Sequence, residues 1–474
     1  MSKYLTKSRF KVALECSRKL AYVGNPEYVN TKQHDEFLRS LAEGGFQVGE
    51  LAQLLYPGGV LIQDQQQAEQ ISHTNALLRR DDVIIYEATL QYGDWVARID
   101  VLQKQGNRID LIEVKSKSFD SRAGDVDTQW RTRSNSRNQS QTPNIKSDIL
   151  PYLQDVAFQT MIARSLNPDW KVVPFLMVVD KAVKASVDGL NQMFKICKTG
   201  AGDRQRSHVV AVPGVTRESV GVPLLKSVDV SGFVDEIING TVQTPEGEKL
   251  FHDAALQWVQ AYAQGQTIEP VIGAHCRRCE FVASESDQTH RSGFHECWAK
   301  VTHLTAQQIN GNRPITRLYH PVKGELAGCF QAGVYWLTQI DESSFELKSS
   351  DSGMSRTDRQ HLQIFGEWTA DKRFEFDAAL WQQISERFIY PLHFIDFEGC
   401  RPALPFLSGK RPYDQVAFQF SHHVMHEDGS VAHASEFIDV TPGHDRCSAC
   451  WQEAARKSNT RQDFKSAQGR ASPA

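Results

Sequence analysis

Apolar residues fall at helical spacing over residues 32–55, at Phe37, Leu38, Leu41, Val48, Leu51, Leu54 and Leu55. Gly44 and Gly45 mark a point where that helix can break, and Pro57-Gly58-Gly59 stops it. Three β-like runs follow, Val83–Leu90, Trp95–Leu102 and Arg108–Val114, with Gly93 and Gly106 at the turns between them. This pattern predicts an antiparallel meander. Leu150–Leu166 carries Leu153, Val156, Ala157, Thr160 and Ala163 on one side and predicts a helix. Val172–Val179 is a continuous apolar run suited to a buried strand. The order helix, three strands, helix, strand predicts a compact α/β unit.

Further along, Gly247–Gln264 predicts a helix, and residues 301–390 a connecting region with some strands and a helix at Phe376–Phe388. Leu392–Phe397, Gln415–Met425 and Ser435–Val440 predict a last group of strands. Residues 120–147 are rich in Arg, Ser, Asn, Gln and Thr and predict a mobile loop. Periodicity is lost from Thr441, which predicts a frayed tail over 441–474. No internal repeat stands out.

The chain has 474 residues, enough for about two to four domains. With 40% hydrophobic and 23% charged residues it has the composition of a globular protein. A net charge of -4 argues against a uniformly basic nucleic-acid coat and leaves room for a local basic groove. No apolar run approaches the roughly 18–20 residues that cross a bilayer, and the charged N-terminus has no signal-peptide core. A cytoplasmic protein without membrane contact is the expectation, with its nine cysteines acting as ligands or core residues rather than as a disulfide framework.

The candidate chemistry lies in RIDVLQKQGNRIDLIEVKSKS, Arg98–Ser118. Alternation along a strand projects Glu113 and Lys115 to one face. Asp100 lies thirteen positions earlier, with room for two strand ends and a turn. Two carboxylates are hard oxygen ligands suited to Mg²⁺ or Mn²⁺. A lysine beside them can orient a water or offset charge on phosphoryl oxygens. A bland surface hairpin would carry the same tripeptide.

Asp100…Glu113-Val114-Lys115 resembles the PD-(D/E)XK signature of RecB-like nucleases. Glu87, in IYEATL, and Gln159, in DVAFQTMIA, stand where that family often has an acidic residue and a helix glutamine. The resemblance implies a restriction-endonuclease-like α/β core and metal-dependent cleavage of DNA, single-stranded or at ends. Many members carry a histidine on the first helix, but GGFQVGELAQLLYPGG has none, and His34 lies earlier. The alternative reading is a catalytically weak or inactive nucleic-acid-binding protein that keeps the fold, or a partner in a repair or defence complex.

Cys16 lies near the N-terminus, and Cys276, Cys279 and Cys297 lie in HCRRCEFVASESDQTHRSGFHECW. A CxxC pair suits tetrahedral metal–thiolate sites. These segments resemble Cas-type and AddB-like members of the same family, which implies a 4Fe–4S cluster on the four cysteines, stapling the two ends of the nuclease domain. Zinc is the rival, and His275, His290 and His295 are alternative ligands. A second CxxC, Cys447 and Cys450, falls in the tail and has the look of an accident.

FIDFEG places Asp396 and Glu398 on one strand face. It resembles the first motif of DnaQ-like exonucleases of the RNase H-like fold. The later carboxylates of that fold have no clear place here, since Asp439 and Asp445 are poorly positioned. The layout resembles a bacterial family joining a RecB-like half to an RNase H-like half. It implies a nuclease domain over 1–300 with a helical, cysteine-bearing C-terminal flank. A connecting region over 301–390, partial RNase H-like strands over 391–440 and the tail would follow. Arg122, Arg131, Arg133, Arg137 and Lys146 could guide a phosphate backbone, with Trp130 stacking on a base, but a solvated loop without a binding role is the favoured reading of this polar stretch.

Overall fold

The computed structural model describes residues 3–439 apart from 34, 133–143, 201–205, 346, 348–353, 368–373 and 375. Residues 34, 133, 137, 445, 447 and 450, and the predicted tail, therefore lie outside the described residues. The chain divides into two compact units. One comprises residues 1–35, 93–96 and 237–387, the other 36–92, 97–236 and 388–474. The protein is of mixed α/β class. Among the described residues no helix is long and apolar enough to cross a membrane.

The second unit is built on a mixed sheet. Its elements are α1 (Glu36–Leu54), β1 (Val60–Leu61), α2 (Gln67–Leu77), β2 (Asp82–Tyr92), β3 (Trp95–Gln105, in this unit from Ala97 onward), β4 (Arg108–Phe119), α3 (Val126–Trp130), α4 (Leu150–Leu166), β5 (Lys171–Asp180), a hairpin of β6 (Phe194–Thr199) with β7 (Arg206–Ala211), and β8 (Leu225–Asp229). The strand order is β1-β2-β3-β4-β5-β8. β3 and β4 are antiparallel and β5 is parallel to β4, the crossover passing through α4. That arrangement buries the middle of the sheet on both faces, which is why Val172–Val179 is apolar without a break.

α1 runs through Gly44 and Gly45 without interruption, because Val48, Leu51 and Ala52 bury its inner stripe against the sheet. Gly59 ends the turn after it, and a Cβ there would fall 2.3 Å from the Tyr86 ring. The Tyr86 hydroxyl in turn donates to the Tyr56 carbonyl, lies 3.1 Å from the Gln53 carbonyl, and accepts from Gly59 N–H at 3.2 Å. This pins the end of α1 to the residue preceding Glu87. α4 starts with Pro151 in its first turn, where the missing N–H costs nothing.

Three expectations need correction. Thr241–Thr244 and Gly247–Leu250 form an antiparallel hairpin, so the helix predicted from Gly247 begins at Phe251. Pro245-Glu246-Gly247 is a turn, with Gly247 at φ 115°, and it reverses the chain before the helix can start. Between residues 301 and 390 the described residues hold short helices and no strand, including Ala378–Ser385 inside the predicted Phe376–Phe388. The stretch predicted as a mobile loop contains α3, and Trp130 on it is buried against Phe119 and Phe233. It is not exposed for stacking on a base.

The C-terminal part of this unit is a three-stranded antiparallel sheet of β9 (Leu392–Cys400), β10 (Val416–Met425) and β11 (Val431–Ile438). Phe420 and Ala417 form its small core with Ile395, Phe397 and Phe437. In the other unit Phe10, Phe251 and Trp258 pack ring to ring, and Leu5–Thr6 pairs with Trp95–Val96.

Candidate functional site

Asp100, Glu113, Lys115 and Gln159 meet in one place. Asp100 lies on β3, one residue before the ladder pair Val101–Ile112. Its Oδ2 accepts the Val114 N–H at 2.7 Å, which fixes the carboxylate against β4. Glu113 has no exposed surface. Its Oε1 is ion-paired with the Lys115 ammonium and its Oε2 accepts from Gln159 Nε2 at 2.6 Å. A buried carboxylate is tolerable only when it is paired and hydrogen-bonded, and both conditions hold here. The Gln159 Oε1 is buried with no hydrogen-bond partner among the described residues.

Lys115 reaches a further carboxylate. Asp155 Oδ2 stands 3.8 Å from its ammonium and is itself 1% exposed. Burial works against the lysine charge, but Glu113, Asp100 and Asp155 outweigh it and hold its pKa above the usual lysine value. Sequence reasoning missed Asp155. It lies four residues before Gln159 on α4, so the two share a helix face, and that spacing was the available signal.

Glu87 takes a different position from the other four. Its Oε2 lies 2.5 Å from Arg98 Nε, and its backbone has φ 58°, a left-handed conformation uncommon for a residue with a Cβ. Such outliers persist where the surroundings over-determine them and cluster at functional sites. Glu50, on α1, is electrostatically coupled to Glu87. Burial raises its carboxyl above the ordinary glutamate range, opposed by a backbone hydrogen bond from Ala211 and reinforced by the Glu87 charge. The helix on which the family resemblance would place a histidine thus carries Glu50 in the neighbourhood of Glu87. Nothing in the sequence marked Glu50, because its position depends on how α1 packs across the sheet.

The basic residues following the site are engaged with their own neighbours. Arg131 pairs with Asp127 and Glu236 at 2.7 Å each and lies over the Phe233 ring. Arg122 pairs with Asp120, and Lys146 donates to the Gln129 carbonyl. Asp396 and Glu398 on β9 both face solvent, opposite the apolar Ile395 and Phe397, as the alternation predicts.

The four cysteines converge in the other unit. Cys16, Cys276, Cys279 and Cys297 line one cavity together with Arg18, Lys19, Tyr22, His275, Phe294 and Trp298. Burial, followed by the neighbouring thiols, pushes Cys16 and Cys276 up to about 12. Burial likewise raises Cys279 to about 11. The Tyr22 hydroxyl is 3.3 Å from Cys297 Sγ, and His275 Nε2 is 3.6 Å from Cys276 Sγ. The Trp298 indole N–H is buried with no hydrogen-bond partner among the described residues. An orphaned donor on a cavity lined by four thiols suits a bound group with acceptor atoms. His295 is held by Ser292 and Asn310, and His290 by Asp287, which leaves His275 as the histidine on the cavity wall. Among the described residues no three His, Cys, Asp or Glu side chains already form a set that could hold a single ion.

A protein-family profile described as a domain of unknown function (DUF2779) matches residues 393–464. It covers β9 to β11 and part of the residues beyond Asp439. No curated protein and no solved structure matches the chain.

Proposed function

We propose that this chain is a metal-dependent nuclease that cleaves DNA phosphodiester bonds at Asp100, Glu113 and Lys115, on a restriction-endonuclease-like core of the RecB-like kind. The observation that carries the reading is the state of Glu113. A carboxylate with no exposed surface is held by Gln159 on one oxygen and by Lys115 on the other, beside Asp100 and Asp155. Desolvating a carboxylate costs several kcal/mol. A chain that places one here, with a lysine and two further acids around it, matches the demands of phosphoryl chemistry better than those of a surface hairpin.

Asp100 and Glu113 would hold a Mg²⁺ or Mn²⁺ ion, both being hard oxygen donors already oriented by a backbone N–H and a side-chain amide. Glu50 and Glu87 lie close to each other on neighbouring elements, Glu87 being paired with Arg98. When bound, such an ion polarises the phosphate and lowers the pKa of a water. The protein's own share is positional. Val114 N–H fixes Asp100, Gln159 fixes Glu113, and the Lys115 ammonium offsets charge developing on phosphoryl oxygens. Asp155 gives that ammonium a second anchor. The substrate follows from the family resemblance: single-stranded DNA or DNA ends.

The four cysteines would hold a 4Fe–4S cluster, with zinc as the rival, and the thiol-lined cavity with its orphaned indole N–H supports a bound group there. The second reading, a nucleic-acid-binding protein of a repair or defence complex with weak or no catalysis, is favoured by one contact. Glu87 is tied to Arg98 rather than offered to a metal. Digestion of a labelled single-stranded oligonucleotide with Mn²⁺, by wild type and Glu113→Ala, separates the two. Cleavage lost in the variant supports the nuclease; binding by both without cleavage supports the second reading.

A further inference from the structure

Between β9 and β10 the chain returns to the main sheet of its own unit. Ala403 and Leu404 are buried in the same core as Val114, Met177 and Val179. Backbone hydrogen bonds hold the segment along its length: Ala185 N–H to the Lys410 carbonyl at 2.9 Å, Gly409 N–H to the Ala185 carbonyl at 2.7 Å, and Gly189 N–H to the Phe406 carbonyl at 2.7 Å. It ends at Tyr413, whose ring packs on that core and whose hydroxyl donates to the Ser116 carbonyl.

Ser116 is the residue after Lys115, and it lies in a break of the β4–β5 ladder. Val114 pairs with Met177 and Ser118 with Val179, so residues 115–117 stand opposite Val178 alone. Extra residues of this kind bend a strand and re-aim a side chain, and they leave backbone groups outside the ladder. Here the Tyr413 hydroxyl serves one of those groups. Tyr413 has φ 66°, which is unfavourable for a bulky residue and persists where the surroundings hold it. Burial, and then the nearby Tyr152, raise its phenol pKa, so the hydroxyl remains a donor across the neutral range.

We propose that Tyr413 is a positioning residue for Lys115: its hydroxyl clamps the Ser116 carbonyl and fixes the bulge that aims the lysine ammonium at Glu113 and Asp155. The inference rests on the reading of Asp100, Glu113 and Lys115 as a nuclease site. It makes the segment matched by the domain of unknown function part of that site's frame.

The test is Tyr413→Phe in the full chain, which keeps the ring and removes the donor. Hydrogen–deuterium exchange over residues 114–119 is followed on the metal-free protein. The kcat and KM are measured on a single-stranded oligonucleotide with Mn²⁺. The expected result is exchange about tenfold faster at 114–119 and unchanged elsewhere, with kcat down about tenfold and KM within about twofold, the scale of one lost hydrogen bond. Wild-type exchange at 114–119 in the variant would overturn the clamp, as would faster exchange with an unchanged kcat. A wild type whose cleavage survives Glu113→Ala, or that never cleaves, overturns the nuclease reading instead. The exchange result then decides the clamp alone.

Discussion

Gln159 Nε2 donates to Glu113 Oε2 at 2.6 Å across the gap between α4 and β4, and neither side chain reaches solvent. Replacing Gln159 with Leu removes that donor and leaves the carboxylate's second oxygen buried. Hydrogen bonds to charged groups contribute about 1.5–3 kcal/mol, so Gln159→Leu should lower unfolding free energy by about that amount in urea titrations. Partners that orient metal ligands typically cost about 10–100-fold in metal affinity or activity when mutated, and a loss of that size is expected for Mn²⁺-dependent cleavage. Unchanged stability and unchanged cleavage would detach Gln159 from the site.

Glu50 supplies a pH prediction. Its carboxyl is raised, chiefly by burial and then by Glu87. A carboxyl whose folded pKa lies above its unfolded value binds more protons when folded, so stability falls as pH rises from the unfolded pKa to the folded one. In metal-free protein Glu50→Gln should therefore raise Tm at pH 7 and have little effect at pH 4. It should also weaken Mn²⁺ binding, measured by calorimetry. A Glu50→Gln protein destabilised at pH 7 would show that the carboxylate is stabilised by partners rather than strained.

The thiols titrate in the opposite range. Cys16 and Cys276 are pushed up to about 12, and Cys279 to about 11, by burial and by one another. The folded metal-free protein keeps these protons to higher pH than the unfolded chain does. Its stability should fall as pH rises from about 9, the usual thiol value, toward 11–12. Thiolate ligation requires the protons to leave, so loading at pH 7 should release them. A brown protein absorbing near about 400 nm after anaerobic preparation indicates an iron–sulfur cluster. A colourless protein that releases zinc on acid treatment would replace that cofactor.

Trp130 separates packing from recognition. It is buried against Phe119 and Phe233, and Trp130→Ala should cost about 3–5 kcal/mol of stability, as large core truncations do. Weaker DNA binding at unchanged stability would restore it as a base-stacking residue.

Particular residues show where the sequence was legible. The alternation that put Glu113 and Lys115 on one face survives in β4, and Leu150–Leu166 forms the helix over the predicted residues. Both follow from local periodicity. Trp130 was misread because a polar segment surrounds it, and burial of one side chain inside such a segment leaves no periodic trace. The helix predicted from Gly247 failed because Pro245 and Gly247 make a turn, a signal that was present and overlooked. Asp155 was legible from its spacing to Gln159. Glu50 beside Glu87 and Tyr413 at Ser116 were not, since each is placed by packing between elements far apart in sequence.

Cleavage of a labelled single-stranded oligonucleotide by the full-length protein, with Mn²⁺ or Mg²⁺ and with EDTA, tests the central claim most directly when wild type is compared with Glu113→Ala and Lys115→Ala. Metal-dependent products are expected from wild type, none with EDTA, and a loss of at least about 100-fold in each variant, the lower end of what removing a key electrostatic group costs. Equal cleavage by all three proteins would contradict that claim.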